Sequence, residues 1–96
     1  EMNDVQFKLV RVEGEFLWHQ HAETDEAFIV IEGELEIDLP NQTVRIGEGE
    51  MFVVPKGVDH RPRAVNEAKI MLVEPRGVVN TGDIANKGSA PNDVWI

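Results

Sequence analysis

Short apolar stretches, separated by turn-forming residues, follow one another as far as Glu74. The clearest is Glu34–Leu39, in which Leu35, Ile37 and Leu39 alternate with acidic residues that we expect to face water. A period of two is typical of a strand with one buried face and one solvated face. The same pattern predicts further extended segments over residues 6–13, 15–21, 26–31, 43–46, 51–54, 58–65 and 68–74.

The turn residues divide these segments. Glu32–Gly33 predicts a two-residue hairpin turn, because glycine accepts a positive φ. Residues 54–57 (VPKG) fit a type I turn, with proline second and glycine fourth. Strands at this spacing, with no convincing helical period, predict an all-β sandwich or barrel. We assign this barrel to residues 1–76, and predict that residues 77–96 form an extended tail that packs on the barrel or on a partner subunit.

Composition narrows the function classes. The chain has 96 residues and a formal net charge of −9, so neither nucleic acid nor an anionic membrane surface is an expected partner. No apolar run approaches the roughly 20 residues of a membrane span. There is no cysteine, which excludes disulfides, thiolate metal sites and cysteine nucleophiles. The acidic N-terminus is unlike a signal peptide, and we expect a cytoplasmic protein.

The three histidines of the chain and one glutamate form the candidate site. His19 and His21 are one residue apart, so on a strand both imidazoles point to the same side. Glu26 follows on the next predicted strand, close enough to join them, and His60 comes from an element further along the chain. A His-x-His pair alone is more often a surface or core feature than a metal site. The addition of Glu26 and His60 favours the metal site.

Three imidazoles and a carboxylate suit a divalent transition metal ion: iron, manganese, nickel, copper or zinc. On a six-coordinate ion they leave open positions for water, dioxygen or a chelating substrate. The same four residues could instead close a tetrahedral zinc site with a structural role. Catalysis without metal has little support, because Ser89 is the only serine and the chain has no tyrosine or cysteine.

The spacing around these residues resembles the two motifs of the cupin family. The first motif, of glycines, histidines and a glutamate, is matched by Gly14, His19, His21, Glu26 and Gly33, with four residues between Gly14 and His19 where five are usual. The second is matched by Gly49, Pro55, Gly57 and His60, with Ala64 where asparagine is usual. The resemblance covers about residues 7–74, and is to small single-domain cupins of the kind labelled mannose-6-phosphate-isomerase-like.

The resemblance implies a jelly-roll barrel, the double-stranded β-helix of cupins, with six to eight strands. It also implies that His19, His21, Glu26 and His60 bind one metal ion inside the barrel. The departure at Ala64 affects no ligand. It concerns only a turn or a hydrogen bond behind the ligands.

The faces of the predicted strands follow from the inward-pointing histidines. Leu17 then points inward, whereas Phe16 and Trp18 point outward and need cover from the opposing sheet or from a second subunit. Cupins are often dimers through such a sheet, and the resemblance therefore implies a homodimer. Phe28 shares the face of Glu26 and is expected to line the pocket.

Two further residues, Met51 and Pro62, are weaker candidates for the pocket wall. Each pocket candidate, Phe28 included, is more often plain core than a substrate contact. Arg61 and Arg63 flank Pro62, and we expect them to face outward, where they either solvate their strand or pair with the acidic residues Glu34, Glu36 and Asp38.

The functional hypothesis from the sequence is a metal-dependent enzyme that acts on a small oxygen-rich molecule. Dioxygenation, or isomerisation of a sugar or keto acid, are the candidate reactions. The alternative is a non-catalytic module that binds a small ligand or a metal. A structural zinc site is the third hypothesis.

Overall fold

Six β-strands form the part of the chain that the structure, a computed structural model, describes: residues 1–77. The strands are β1 (Val5–Glu15), β2 (Glu26–Glu32), β3 (Glu34–Asp38), β4 (Thr43–Gly47), β5 (Met51–Val54) and β6 (Arg61–Pro75). This part contains no helix, so the all-β prediction is confirmed. The predicted tail, apart from Gly77, lies outside the described residues.

The longest strand, β6, organises the sheet. β1 pairs along one edge of β6, and β2 and β3 pair one after the other along the opposite edge. β5 extends the sheet beyond β2, and β4 extends it beyond β3. All these pairings are antiparallel. β6 therefore pairs directly with three of the other five strands, and the remaining two are attached to β2 and β3.

The junction between β2 and β3 is a kink in one long ribbon. Val30 pairs with Ile70 and Ile37 pairs with Pro62, so both strands run antiparallel to the same partner. Gly33 lies at the kink with a φ of +93°, and a Cβ there would be 3.1 Å from the Glu67 carbonyl oxygen. The predicted hairpin at Glu32–Gly33 is wrong, because a positive φ serves a bend within a ribbon as well as a turn.

β6 bends next to the kink at Gly33. The segments predicted at 58–65 and 68–74 belong largely to one strand, whose register with β1 shifts between Val12 and Gly14. Ala64 and Ala68 are buried on either side of this bend, whereas Val65 is 80% exposed. The aligned bends curl the sheet into a β-barrel, because they fold its two halves toward each other.

Alternating apolar residues fill the interior. Leu35 pairs with Ile46 across β3 and β4, and both are buried, as the period of two predicts. The described core comprises Val10, Phe28, Val30, Leu35, Ile37, Ile46, Val54, Ala64, Ala68, Ile70 and Leu72.

Two rows of apolar side chains also cross the outside of the sheet. They follow the cross-strand register through β1, β6, β2 and β5: Phe7, Val73, Ala27 and Val53 in one row, and Leu9, Met71, Ile29 and Met51 in the next. The residues at the ends of both rows are exposed, and those in the middle are half-buried. We call these eight residues the outer apolar face.

A charged network ties β3 to the start of β6. Arg63 donates to both carboxylate oxygens of Asp38, at 2.8 and 3.0 Å, and to Glu36 at 2.8 Å. Arg61 donates twice to Asp38, at 3.0 and 2.8 Å. The predicted pairing of these arginines with the acidic strand is confirmed. Asp38, however, is buried beneath them rather than facing water.

Replacing Gly33 by alanine should destabilise the fold more than the same change at Gly49. Both glycines have a positive φ, which costs a residue with a Cβ about 1–2 kcal/mol. Only Gly33 adds close contacts, since a Cβ at Gly49 meets nothing within 4 Å. Urea denaturation of Gly33→Ala and Gly49→Ala measures the difference. Equal losses of unfolding free energy would contradict the kink.

Acid should weaken the fold partly through Asp38. The hydrogen bonds from Arg63 hold the pKa of this carboxyl well below its usual range, against the opposing effect of burial. Because the folded-state pKa is depressed, the stabilisation is present above about pH 4 and is lost as pH falls toward the folded-state pKa. Asp38→Asn should lose about 1–3 kcal/mol at pH 7.

Urea denaturation at pH 7, 5 and 3 tests this dependence. The unfolding free energy of Asp38→Asn should fall less between pH 5 and 3 than that of the parent, whereas the exposed control Asp4→Asn should follow the parent. Identical pH profiles for Asp38→Asn and the parent would exclude the proposed contribution.

Candidate metal centre

Four buried side chains from three separate parts of the chain converge inside the barrel. His19, His21, Glu26 and His60 each offer one ligand atom, and these atoms lie within 4.8 Å of one another. The imidazole centroids of His19 and His60 are 4.3 Å apart, and those of His19 and His21 are 5.4 Å apart. The structure thus brings together all four residues that the sequence analysis gives as candidate metal ligands.

Backbone pairing holds the three histidines in place. His19 and His60 exchange two hydrogen bonds, of 3.0 and 2.9 Å between backbone N and O. Gly57 N–H donates to the His21 carbonyl at 2.8 Å. Gly57 has a φ of +77° in a turn closed by Val58 N–H and the Pro55 carbonyl, one residue later than predicted. Residues 16–21 therefore lie antiparallel to 57–62.

This segment is not the regular strand predicted at 15–21. Apart from the extended bridge at His19, it lies outside any strand, so the expected alternation of faces fails. Phe16 lines the cavity described below rather than pointing outward, and Leu17 is exposed rather than inward. Trp18 is on the outside as predicted, with the Arg61 guanidinium 5.4 Å from its ring centroid.

Two backbone carbonyls orient the imidazoles. The Nδ1 atoms of His19 and His60 lie 2.8 and 3.0 Å from the carbonyl oxygens of Leu17 and Val58. A carbonyl only accepts, so Nδ1 carries the proton in both neutral rings. Each Nε2 is then left with its lone pair, the state in which imidazole binds a metal.

Three polar atoms at the centre of the cluster have no hydrogen-bond partner: His21 Nε2, His60 Nε2 and Glu26 Oε1. The two nitrogens lie 3.3 and 3.4 Å from Glu26 Oε1, without hydrogen-bond geometry. Buried polar atoms in native structures are almost always paired, so a group of orphans around one point indicates a missing partner. A divalent metal ion fits this donor set.

The protonation states favour the same partner. Burial acts to raise the pKa of Glu26, but the polar groups around it, His21, His60 and Glu74, together outweigh burial and hold the pKa well below its usual range. Burial also lowers the pKa of His19. Both shifts favour the ionised carboxylate and neutral imidazole that a metal requires.

A buried polar group behind Glu26 was not found from the sequence. Gln6, Lys8 and Glu74 are all buried, with Gln6 Nε2 donating to Glu74 Oε1 at 3.1 Å and Lys8 Nζ at 3.3 Å from the same oxygen. β1 is inverted here, since Phe7 and Leu9 point outward and the polar residues point inward. In the sequence, this group is indicated by Gln6 and Lys8, which lie at alternate positions with Val10 and therefore share its buried face.

Glu74 links this group to the metal centre. Burial and the neighbouring Glu26 carboxylate raise the pKa of Glu74 to about 8, with Lys8 opposing the rise. Glu74 Oε2, like the three atoms at the centre of the cluster, has no hydrogen-bond partner among the described residues. The raised pKa favours the protonated form of Glu74, which would leave the negative charge of the pair on Glu26.

A cavity of about 210 Å³ borders the cluster. Its lining residues are Val10, Arg11, Val12, Glu13, Gly14, Glu15, Phe16, His19, Glu26, Phe28, Pro62, Ile70 and Leu72. Phe28 and Pro62 stand in this wall. Met51 does not: it is 57% exposed on the outer apolar face, because the inward residues of β5 are Phe52 and Val54. The placement of Met51 in the pocket is therefore wrong.

Comparison with known proteins identifies the family. The Cupin_2 family profile, described as a cupin domain, matches residues 8–76. The chain belongs to this family, and its curled, all-strand fold is the cupin β-barrel.

Relatives of known sequence and structure agree. A cupin-2 domain protein from Shewanella frigidimarina is 62% identical, with a TM-score of 0.78 over 79% of this chain and 74% of that one. Protein NMB1881 from Neisseria meningitidis is 38% identical, with a TM-score of 0.74 over 78% of each chain. Uncharacterized protein YdbB from Bacillus subtilis is 39% identical over 75 residues, 77% of this chain. This chain spans 66% of the length of YdbB, just under two thirds.

Proposed function

We propose that His19, His21, Glu26 and His60 bind one divalent transition metal ion, and that the protein is a metal-dependent enzyme acting on a small molecule with metal-binding oxygens. The observation that carries this proposal is the set of orphaned donor atoms, buried together at the edge of a cavity. His19 and Glu26 belong to both the cluster and the cavity wall. An open site of this kind supports ligand binding over a closed structural zinc site.

The ion is iron, manganese, nickel, copper or zinc, since imidazole and carboxylate suit all five. When bound, it supplies a Lewis acid or an oxygen-binding centre. The side chains prepare the site for it. The Leu17 and Val58 carbonyls fix two of the imidazole rings, and Phe28 packs edge-on against His60, with 5.9 Å between ring centroids.

The proposed reaction is dioxygenation or the isomerisation of a keto acid or sugar. A non-catalytic binding module is the alternative, and one observation favours it. In the part of the chain that the structure describes, the buried titratable residues lining the cavity are His19 and Glu26, both proposed ligands. This wall therefore offers no further buried group for proton transfer. Turnover by the metal-loaded chain supports the enzyme, whereas a thermal shift without turnover supports the binding module.

We also propose that the protein is a homodimer that forms through the outer apolar face. Four of its residues, Phe7, Leu9, Met51 and Val53, are each at least 44% exposed. An exposed apolar surface that runs continuously across four strands is typical of an interface. A second copy covers this surface when the two outer apolar faces pack against each other about a two-fold axis.

The division into a barrel of residues 1–76 and a docked tail, and a cytoplasmic location, remain part of the proposal. Among residues 1–77 there is no helix long and apolar enough to cross a membrane.

Glu26→Gln should weaken metal binding at least about tenfold. Loss of a group that only supports a ligand typically costs 10–100-fold, and Glu26 is proposed to be a ligand itself. The exposed Glu23→Gln, in the loop before β2, is the matched control. Calorimetric titration of the chelator-treated full chain with Zn²⁺ measures both affinities.

Circular dichroism should show that Glu26→Gln remains folded. Equal Zn²⁺ affinity in the parent, Glu23→Gln and Glu26→Gln would place any bound metal elsewhere. Unfolding of His60→Ala at room temperature would favour the structural zinc site instead.

Met51→Glu should convert the dimer into monomers, because it places charges against the outer apolar face of the partner. Val65→Glu, which adds a charge at an exposed position off that face, is the control and should remain dimeric. Light scattering coupled to size-exclusion chromatography gives both masses. A monomeric parent, or a dimeric Met51→Glu, would argue against this interface.

A further inference from the structure

We infer that the molecule bound at this centre is small and mainly apolar, with one oxygen-bearing end that reaches the metal. The inference rests on the proposed function and narrows its substrate class. It favours a short-chain keto acid or a related molecule with a hydrocarbon tail, and excludes sugars.

The walls of the cavity carry the inference. Behind the two proposed ligands, its inner surface consists of the apolar side chains of Val10, Phe28, Pro62, Ile70 and Leu72, all of them buried. Phe16 and Val12 are half-buried and continue the apolar surface outward. Within the described residues, this part of the wall therefore offers a ligand no polar side chain other than His19 and Glu26.

The charged residues of the cavity lie at its outer end. Arg11, Glu13 and Glu15 are all exposed, and all belong to the last part of β1. Water already solvates their charges, so they discriminate little between ligands whose oxygen-bearing end lies at the buried ligands. The polar groups that select a ligand therefore lie at the metal centre. The rest of the ligand is selected by its packing against apolar side chains.

This arrangement is unfavourable to a polyhydroxylated ligand. Each hydroxyl directed at Phe28, Ile70 or Leu72 would lose its hydrogen bonds to water and gain none, which weakens binding by roughly tenfold. A hydrocarbon tail at the same place gains from leaving water. The volume of about 210 Å³ lies below the roughly 300–1,000 Å³ of pockets for drug-sized ligands, which limits the tail to a few carbon atoms.

Two hydroxamic acids with the same metal-binding group test the inference. Isovalerohydroxamic acid ends in two methyl groups, and malonamohydroxamic acid carries an amide of similar size at the same place. Calorimetric titration into the Zn²⁺-loaded full chain should show the isovaleryl compound binding at least about tenfold more tightly. Equal affinities, tighter binding of the amide, or no binding of either would overturn the inference.

A variant of the cavity wall locates the selection. Val12→Thr exchanges a methyl group of the wall for a hydroxyl, and should reduce the preference severalfold while Zn²⁺ affinity stays unchanged. Val65→Thr makes the same exchange at an exposed position, and should retain the full preference. An unchanged preference in Val12→Thr would contradict this cavity as the tail site.

The same titrations separate this inference from the function on which it rests. A chain that takes up no Zn²⁺ overturns the metal centre, and the substrate class falls with it. A chain that takes up Zn²⁺ but prefers the amide, or shows no preference, retains the metal centre and overturns the apolar substrate class alone.

Discussion

The pairing of β6 with three other strands, and the bend that they share, is the constraint on which the structure depends. β6 is bonded to β1 on one edge and to β2 and then β3 on the other. Gly14, with a φ of +82°, and Gly33, with a φ of +93°, lie where the neighbours of β6 bend. The sheet therefore curls, and Glu26 at the start of β2 comes to face His60 beside the start of β6. Without the bend, the ligands of the proposed centre would be distributed over an open sheet.

The centre itself is unfavourable as an isolated protein structure. It buries a carboxylate and three imidazoles, three of whose polar atoms have no hydrogen-bond partner, and removing such groups from water costs free energy. Its polar neighbours hold the pKa of Glu26 well below its usual range, which favours the ionised carboxylate, whereas the raised pKa of Glu74 favours the protonated form there. A bound cation would satisfy the orphaned atoms at once. In this account, the fold supplies the preorganisation and the ion offsets the cost.

The sequence predicted best where one strand face meets water and the other meets the core. β3 follows that logic, with Leu35 and Ile37 buried as expected, and the cupin motifs identified all four proposed ligands. The alternation misled where both faces are apolar or where polarity is inverted. Met51 and Val53 face outward on β5, and Gln6 and Lys8 face inward on β1, because the outside carries an apolar face and the inside a polar group. Gly33 gave the right dihedral angle but the wrong turn, since only the tertiary pairing with β6 distinguishes a kink from a hairpin.

The most direct test of the account is the position of the metal ion. A crystal of the full chain, grown with one equivalent of Zn²⁺ and measured at the zinc absorption edge, locates the ion by anomalous scattering. We predict one buried zinc ion per chain, about 2.0–2.2 Å from the Nε2 atoms of His19, His21 and His60 and from a Glu26 carboxylate oxygen. Anomalous density only at surface carboxylates, with no density between the four side chains, would contradict it.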